Sequence, residues 1–316
     1  MDERFDEVVV GAGLRGLETA LRARRERPAA SLLLVEAEPR PGGDVQTQRS
    51  NGFVCELGPF AFARAEVEPL LALLQNQPRV VDLLPAAWRG SLFDGTGRRE
   101  VAVEPRPISF ASGNEELVQA CRRELSAAVR LGRKVAAVRP SGTGWDIELG
   151  GEVPTHMACG RLTLAVPAAA AAVLLGGLDR ALPACAERLA TEPRAFVFLG
   201  GNDGEAPELR GYGVVPAEGL ASALAEAIFC TQAFAARALP GRFLVRCELL
   251  GEALAADDGA AIAAAEAELR RWTGTNARFG FTKLHRFAAD AEDGARVECR
   301  VRLQGVAQRA PGLTIL

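Results

Sequence analysis

Hydrophobic positions at the start of the chain follow the pattern of a strand, a helix and a second strand. Residues 8–10 are three consecutive valines that stop at a glycine, which is typical of a short buried strand. Three leucines then recur at helical spacing, with charged residues between them, and predict an amphipathic helix that begins near Leu14. The next apolar run predicts a strand over residues 32–36, which ends at Glu36. This order predicts two parallel strands joined by a crossover helix.

Apolar runs along the rest of the chain predict further helices and strands. The predicted helices cover residues 66–74, 114–128 and 259–273, and a stretch that begins at Pro167. The predicted strands cover residues 87–92, 100–103, 135–138, 145–149, 153–158, 162–166, 195–201, 211–216, 226–230, 242–251, 279–287 and 313–316. After residue 194 most strands follow one another without crossover helices, which predicts a mainly antiparallel sheet.

The turn after the first strand has the glycine spacing of a dinucleotide site. Gly11, Gly13 and Gly16 form a GxGxxG motif. The first glycine allows a tight turn, the second lets a pyrophosphate approach the backbone, and the third lets the helix pack closely on the sheet. The N-terminal end of that helix offers free N–H groups to phosphates. Glu36 follows Gly16 by 20 residues, where a carboxylate accepts hydrogen bonds from a ribose diol. We therefore predict a pyrophosphate over residues 11–16 and an adenosine ribose on Glu36.

Composition argues against several other kinds of site. The chain has 316 residues, 48% of them hydrophobic, and a net charge of −3, so we expect a sizeable core and no nucleic-acid partner. Its seven cysteines form no CxxC pair and it has two histidines, so we expect no metal site and free thiols in a reducing cytoplasm. We expect no signal peptide, because the charged N-terminus runs directly into the first strand. The longest apolar run, residues 162–178, is interrupted by Pro167, so we expect no integral membrane segment.

Two stretches after the second strand resemble a family of flavoproteins. Residues 36–47 resemble the ExxxRxGGRxxT segment of the FAD-binding amine oxidase and protoporphyrinogen oxidase superfamily, and residues 51–59 resemble the stretch that runs beneath the flavin there. Asp44 stands where the family usually has an arginine, which puts an anion near the pyrophosphate and the flavin. With the glycine motif, the resemblance implies FAD as cofactor and these cofactor-binding residues: Gly11, Ala12, Gly13, Leu14, Arg15, Gly16, Glu36, Ala37, Arg40, Gly42, Gly43, Gly58, Pro59 and Val135.

The resemblance covers most of the chain. Residues 109–125 resemble the helix that re-enters the FAD domain, residues 162–168 resemble the strand that closes its insert, and residues 211–251 resemble the substrate-domain sheet of protoporphyrinogen oxidase. It implies an α/β fold, with an FAD/NAD(P)-binding Rossmann-like three-layer domain and a second, mainly antiparallel β substrate-type domain. We expect a discontinuous FAD-binding domain over residues 1–65, 105–190 and 305–316, and a substrate-type domain over residues 66–104 and 191–304.

Two parts of the family pattern are not found in this sequence. Residues 59–109 are too few for the long helical region that builds much of the substrate pocket and membrane contact in the family. Residues 310–316 resemble the family's final strand, but not the glycine turn and helix that follow it and face the flavin. We therefore expect weak or partial FAD binding, weak membrane association and little porphyrinogen oxidation by this chain alone.

Three functions fit these patterns. The first is an FAD-dependent oxidoreductase of the oxidase type that oxidises a porphyrinogen-like or other small organic substrate by hydride transfer to flavin, with oxygen as acceptor. The second is a degenerate, non-catalytic relative that acts as a binding or interaction module, and the third is a flavin amine-oxidase-like enzyme of another substrate. A flavin carries the hard chemical step itself, so no catalytic residue is nominated. His285 and Tyr212 are expected to be structural. We expect a small-molecule partner and a cytoplasmic location, and leave a partner subunit or homo-oligomer open.

Overall fold

The computed structural model describes residues 3–151, 154–189, 191–290 and 294–316, which form two seven-stranded sheets, two two-stranded sheets and flanking helices. The strands are β1 (Glu3–Val10), β2 (Leu32–Val35), β3 (Thr47–Ser50), β4 (Phe53–Glu56), β5 (Val80–Asp82), β6 (Arg89–Phe93), β7 (Arg98–Ala102), β8 (Ile108–Phe110), β9 (Val129–Arg130), β10 (Val135–Ser141), β11 (Gly144–Leu149), β12 (Thr155–Leu164), β13 (Thr191–Asn202), β14 (Gly213–Pro216), β15 (Leu224–Phe229), β16 (Arg242–Leu249), β17 (Phe281–Asp290) and β18 (Leu313–Ile315). The helices are α1 (Leu14–Glu26), α2 (Arg64–Leu71), α3 (Glu115–Leu125), α4 (Ala168–Leu174), α5 (Leu182–Glu187), α6 (Cys230–Ala233), α7 (Gly251–Ala255), α8 (Asp258–Thr273) and α9 (Gly294–Arg309).

The first large sheet has the order β10-β11-β12-β1-β2-β9, and β18 pairs with β12 beyond the end of β11. β1 is parallel to β2, with Val8 opposite Leu33 and Val10 opposite Val35. This adjacency confirms the strand, helix, strand order predicted from the opening pattern. The final strand β18 is parallel to β12, with Leu313 opposite Leu162, as the prediction for residues 313–316 requires.

One predicted pair of strands is a single strand. Residues 153–158 and 162–166 were expected as two strands, but Thr155–Leu164 is continuous, and Val153 lies outside the described residues. Gly160 does not break the strand, because both halves pair with β1 in one unbroken parallel register that runs from Met157 to Leu164. The predicted helix over residues 114–128 is also shorter, since the α-helix ends at Leu125.

Helices cover both faces of the first sheet, so this domain has the three layers that were predicted. Successive side chains of a strand point to opposite faces. Val9 therefore packs in a cluster with α1, α2 and α3, while Val8 and Val10 pack in another with α4, α5 and α9. The sequence patterns did not predict α9. Its buried positions, Cys299, Leu303 and Val306, do recur at helical spacing.

The second large sheet has the order β17-β13-β16-β15-β14-β6-β7. Its pairs are antiparallel except β14 with β6, where Val214 lies opposite Ser91, so the prediction of a mainly antiparallel second domain is confirmed. One face packs against α7 and α8. The opposite face packs against β4 and the residues after it, including Phe53 and Phe60. This second contact joins the sheet to the loops that surround the candidate site.

The residue ranges proposed for the two domains stay a prediction. The hairpin of β6 and β7 lies in the second sheet, whereas Val67 and Leu70 of α2 pack with the first domain. None of the helices in the described ranges combines the length and the apolar character needed to cross a membrane. All seven cysteines are free and buried.

Candidate functional site

The glycine turn after β1 has little room for any side chain at two of its three glycines. Gly11 has a φ of +98°, and a Cβ atom added there would lie 2.3 Å from the carbonyl oxygen of Ala165. A Cβ atom on Gly16 would lie 1.9 Å from the carbonyl oxygen of Gly11. Gly13 differs, since a Cβ atom there would meet nothing within 4 Å. The structure thus requires Gly11 and Gly16 for packing, and leaves open space in front of Gly13.

The N-terminal end of α1 opens onto this space. The N–H of Leu17 donates to the carbonyl oxygen of Gly13 at 2.9 Å, which is the first hydrogen bond within the helix. The amides of Leu14, Arg15 and Gly16 precede that bond and point out of the helix end. Together with the positive end of the helix dipole they form a place where a phosphate group is stabilised.

Glu36 follows β2 and already has two partners in the chain. Its Oε2 accepts a hydrogen bond from the N–H of Ala12 at 2.6 Å, and its Oε1 accepts one from the N–H of Glu38 at 2.9 Å. A carboxylate oxygen has a second lone pair, so each oxygen keeps the capacity to accept from a ribose hydroxyl. Glu36 therefore ties the glycine turn to the end of β2 while it lines the cavity described next.

A cavity of about 1450 Å³ lies at the carboxyl ends of β1, β2 and β12. Ligands of open α/β sheets bind at this edge. The predicted cofactor-binding residues that line it are Gly11, Gly13, Leu14, Arg15, Glu36, Ala37, Gly42, Gly43, Pro59 and Val135. The cavity brings together segments that are far apart in the sequence, and their roles in binding a cofactor stay a prediction.

Four predicted residues lie behind the cavity wall. Ala12 donates to Glu36, and Gly16 packs on the glycine turn. Arg40 donates to the carbonyl oxygen of Gly43 at 2.8 Å. A Cβ atom on Gly58 would lie 1.8 Å from the carbonyl oxygen of Asp44, so this position needs glycine. In this structure these residues hold the neighbouring loops in shape.

Sequence reasoning missed a large part of the wall. Charged residues of the missed part are Glu38, Arg133, Lys134 and Glu187, and its apolar residues are Val10, Val45, Ala136, Ala165, Val166, Pro167, Ala169, Ala170, Val173, Leu174, Pro183 and Ala186. The stretch after Pro167 was interpreted as an ordinary helix, and it does form α4. Val173 of that helix is 61% exposed at the cavity wall, an apolar exposure that a ligand in the cavity would reduce. In the sequence, the Arg133-Lys134 pair directly before β10 is the feature that could have indicated this part of the cavity wall.

The loop that carries Pro59 is held from two sides. The side chain of Asn114, at the start of α3, donates to the carbonyl oxygens of Pro59 at 2.8 Å and Phe60 at 3.0 Å. From the second sheet, Arg246 donates to the carbonyl oxygen of Gly58 at 2.9 Å. Its guanidinium also lies 3.7 Å from the ring centre of Phe196, and burial lowers the pKa of Arg246. Both domains therefore fix the position of this part of the cavity wall.

A buried ion pair lies beneath the same loop. Glu56 and Arg237 are 1% and 0% exposed, and the carboxylate oxygen lies 3.7 Å from the guanidinium nitrogen. The hydroxyl of Thr47 donates to the Glu56 carboxylate at 2.7 Å, and the N–H of Asn114 donates to it at 3.0 Å. Burial raises the pKa of Glu56 and lowers that of Arg237, so each charge depends on the other for compensation. No pattern in the sequence indicated this pair.

The other polar candidates are packed in the second domain. Tyr212 contacts Phe60 edge to face at 6.2 Å, and burial raises the pKa of its hydroxyl. His285 stacks on Phe287 at 5.6 Å, and partial burial lowers the pKa of its imidazole. Within the described part of the chain, no group of three His, Cys, Asp or Glu side chains is arranged to hold a metal ion.

Similarity to a known family model covers the glycine turn, Glu36 and Pro59. Residues 9–76 match the family model described as an NAD(P)-binding Rossmann-like domain. Coproporphyrinogen III oxidase of Staphylococcus aureus is 37% identical over 54 residues, which are 17% of this chain and 12% of that protein. Chloroplastic protoporphyrinogen oxidase 1 of Arabidopsis thaliana is 35% identical over 95 residues, which are 28% of this chain and 17% of that protein. The chain thus aligns with less than a fifth of the length of either relative.

Solved structures share the fold over the whole chain. A protein assigned as a protoporphyrinogen oxidase from Exiguobacterium sp. 255-15 superposes with a TM-score of 0.79 at 16% identity, covering 100% of this chain and 93% of that one. Putrescine oxidase, wild type and bound to putrescine, superposes with a TM-score of 0.72 at 13% identity, with the same coverage. The resemblance of this chain to the protoporphyrinogen oxidase family is confirmed, and its first domain is of the Rossmann nucleotide-binding type.

Proposed function

We propose that this chain binds FAD in the large cavity and acts as an oxidoreductase of the protoporphyrinogen oxidase type. The observation that carries the proposal is the cavity itself, since the N-terminal end of α1, the Glu36 side of the wall and the loops at Gly43 and Pro59 all line it. Its volume of about 1450 Å³ exceeds that of sites for drug-sized ligands, typically about 300–1,000 Å³, and suits a dinucleotide. The proposed substrate is a porphyrinogen-like or other small organic molecule.

The residues of the cavity fit an FAD molecule. The amides of Leu14, Arg15 and Gly16 would hold its pyrophosphate, and the open space at Gly13 would let the phosphates approach the backbone. Glu36 would accept from the adenosine ribose, and the backbone near Val135 would contact the adenine. When bound, the flavin supplies hydride acceptance. The chain would contribute orientation through the loop at Pro59, and the apolar wall of α4 would pack against the bound molecule.

Replacing Glu36 by alanine tests the nucleotide assignment. Hydrogen bonds to a charged group contribute about 1.5–3 kcal/mol each, so we expect affinity for FAD to fall roughly tenfold or more in Glu36→Ala. Glu38→Ala is the matched control. It also removes a carboxylate that lines the cavity, but not the one assigned to the ribose, so we expect it to change the affinity for FAD little. Equilibrium titration followed by flavin fluorescence measures both.

A comparison of AMP with 2′-deoxy-AMP separates direct contact with the ribose from support of the glycine turn by Glu36. Glu36 also holds the N–H of Ala12, so its removal could weaken binding without any ribose contact. The native chain should bind AMP more tightly than 2′-deoxy-AMP, and this preference should disappear in Glu36→Ala. A preference that survives the substitution would show that the carboxylate only supports the turn, and unchanged FAD affinity would place the nucleotide elsewhere.

Asp44 favours a second candidate function, a non-catalytic binding module. This carboxylate lines the cavity next to the glycine pair, where it would repel the phosphates and any negative charge on a reduced flavin. A chain that held FAD weakly, or only through its adenosine part, would not position the flavin ring for hydride transfer. In that case the cavity would serve for ligand binding without turnover.

Asp44→Asn should raise the affinity for FAD, by a few-fold to about tenfold, because it removes the repulsion. The gain in affinity should shrink as salt is added, since the side chain is exposed and salt screens exposed charges.

A second measurement follows turnover, as porphyrin fluorescence in the presence of added FAD, protoporphyrinogen and oxygen. Turnover of the native chain above autoxidation would rule out the binding module. Equal FAD affinity with and without the substitution would show that Asp44 does not face the phosphates.

A further inference from the structure

A smaller cavity of about 350 Å³ adjoins the large one on the side of α9. Arg15, Val166 and Pro167 line both cavities, so the two spaces share the first turn of α1 and the end of β12 as walls. The remaining wall comes mainly from one stripe of α9 and from the end of β18. The glycine motif by itself does not account for this second space.

Its polar lining carries positive charge. Arg15, Arg296 and Arg300 line the cavity together with the amide of Gln304, and none of the Asp or Glu side chains in the described ranges lines it. Arg296, Arg300 and Gln304 are spaced by four residues on α9, so they project from the same side of the helix. Like charges at this spacing weaken a helix unless something compensates them.

Another arginine of the same helix has a clear structural partner. Arg302 makes an ion pair with Asp179 at 3.2 Å, on the side of α9 that packs toward α4 and α5. Arg296 has a further interaction within the chain, whereas Arg15 and Arg300 are exposed residues at the cavity wall. The charge of Arg15 and Arg300 is thus available to a ligand that enters the cavity.

We infer that the small cavity is an oxyanion subsite, which binds a phosphate or carboxylate group through Arg15 and Arg300. A guanidinium group presents paired N–H donors that match two oxygens of such a group, and Gln304 adds a neutral donor. Arg15 follows Leu14 in the first turn of α1, whose amides face the large cavity. An oxyanion in the small cavity would therefore lie beside the phosphates of a dinucleotide in the large one.

Two sources of this oxyanion share the same chemistry. It is either part of the dinucleotide's own pyrophosphate or a separate anion that binds next to it. The subsite does not depend on the flavin, because its arginines would bind a free oxyanion as well. The test can therefore be separated from the test of FAD binding.

The experiment titrates the full chain with sodium pyrophosphate by calorimetry at low ionic strength, and separately with FAD and riboflavin. We expect Arg300→Gln to lower the affinity for pyrophosphate about tenfold, and Arg300→Lys to lower it less. Arg309→Gln is the matched control, since Arg309 belongs to the same helix and does not line the cavity. Arg15→Gln provides a second variant in case Arg300→Gln disturbs α9, which thermal melting would reveal.

The outcomes distinguish the sources and can overturn the inference. A parallel loss of FAD affinity, with riboflavin binding unaffected, would identify the oxyanion as the dinucleotide's own pyrophosphate. A loss confined to pyrophosphate, with pyrophosphate and FAD bound together, would identify a separate anion. If the native chain does not bind pyrophosphate, or if Arg300→Gln and Arg15→Gln bind it as tightly as the native chain, the small cavity is no oxyanion subsite. FAD binding, and with it the proposed function, would still be judged from its own titration.

Discussion

Arg237→Met is expected to lower the free energy of unfolding by about 3–5 kcal/mol at neutral pH. Arg237 is fully buried, and so is the Glu56 carboxylate with which it pairs at 3.7 Å. Removing the cation leaves the anion buried without its partner, and the cost of such a group is several kcal/mol. Methionine keeps much of the volume of the arginine side chain, so the loss of packing is small beside this electrostatic loss.

The destabilisation should depend on pH in a defined direction. Burial raises the pKa of the Glu56 carboxyl, and Arg237 opposes that rise. A group with a raised pKa in the folded state contributes its stability below the unfolded pKa, and this contribution is lost as pH rises through the folded pKa. Without Arg237 the folded pKa of Glu56 rises further. The difference between variant and native chain should therefore be larger near about pH 8 than near about pH 5.

Two further variants identify the buried pair as the cause. Arg242→Met removes an exposed arginine whose guanidinium lies 5.6 Å from the ring centre of Phe53, and should change stability little. The double variant Glu56→Gln with Arg237→Met removes both charges and should recover much of the lost stability. Urea unfolding at both pH values measures all four chains. Equal losses at the two pH values would mean that Glu56 is not ionised next to Arg237.

The opening of the fold could be predicted because its signals are local. The valines of β1, the glycine spacing and the carboxylate of Glu36 all lie within 36 residues, and each has a geometric role that depends on near neighbours. The same holds for α8, where Asp257 caps the helix by accepting from the N–H of Ala260 and Gly274 ends it with a φ of +72°. Such features need no knowledge of the tertiary fold.

The rest of the candidate site depends on contacts between distant segments. Glu56 ends β4, whereas Arg237 lies far away in the sequence, in the loop before β16, and only the packing of β4 against the second domain brings them together. The wall formed by α4 looks in sequence like any alanine-rich helix, because what matters is which space the helix faces. The small cavity likewise needs α9 to pack beside the first turn of α1. Residue spacing carries no information about such contacts.

The second large effect is expected at Gly16. In Gly16→Ala the new methyl group would lie 1.9 Å from the carbonyl oxygen of Gly11 and 3.1 Å from the Cβ atom of Ala165. Alanine favours a helix by about 1 kcal/mol over glycine. Overpacking typically costs about 1–3 kcal/mol, and here the clash is with backbone that cannot rotate away, so the cost should reach or exceed the upper end. The end of α1 must move away from the turn, and we expect both stability and FAD affinity to fall.

Gly13→Ala is the matched comparison, because it separates space needed by the fold from space needed by the ligand. A Cβ atom at Gly13 meets nothing within 4 Å, and its φ of −65° suits alanine. Alanine is a poorer N-terminal cap than glycine, which lowers stability. It also restricts the unfolded chain, which stabilises the folded state by roughly 0.4–1 kcal/mol, so the melting temperature should change little. The methyl group would instead occupy the place of the pyrophosphate, and FAD affinity should fall at least about tenfold. Melting curves and FAD titrations of both variants give the result. If Gly13→Ala binds FAD like the native chain, the phosphates do not lie over this turn, and the cavity must hold its ligand in another way.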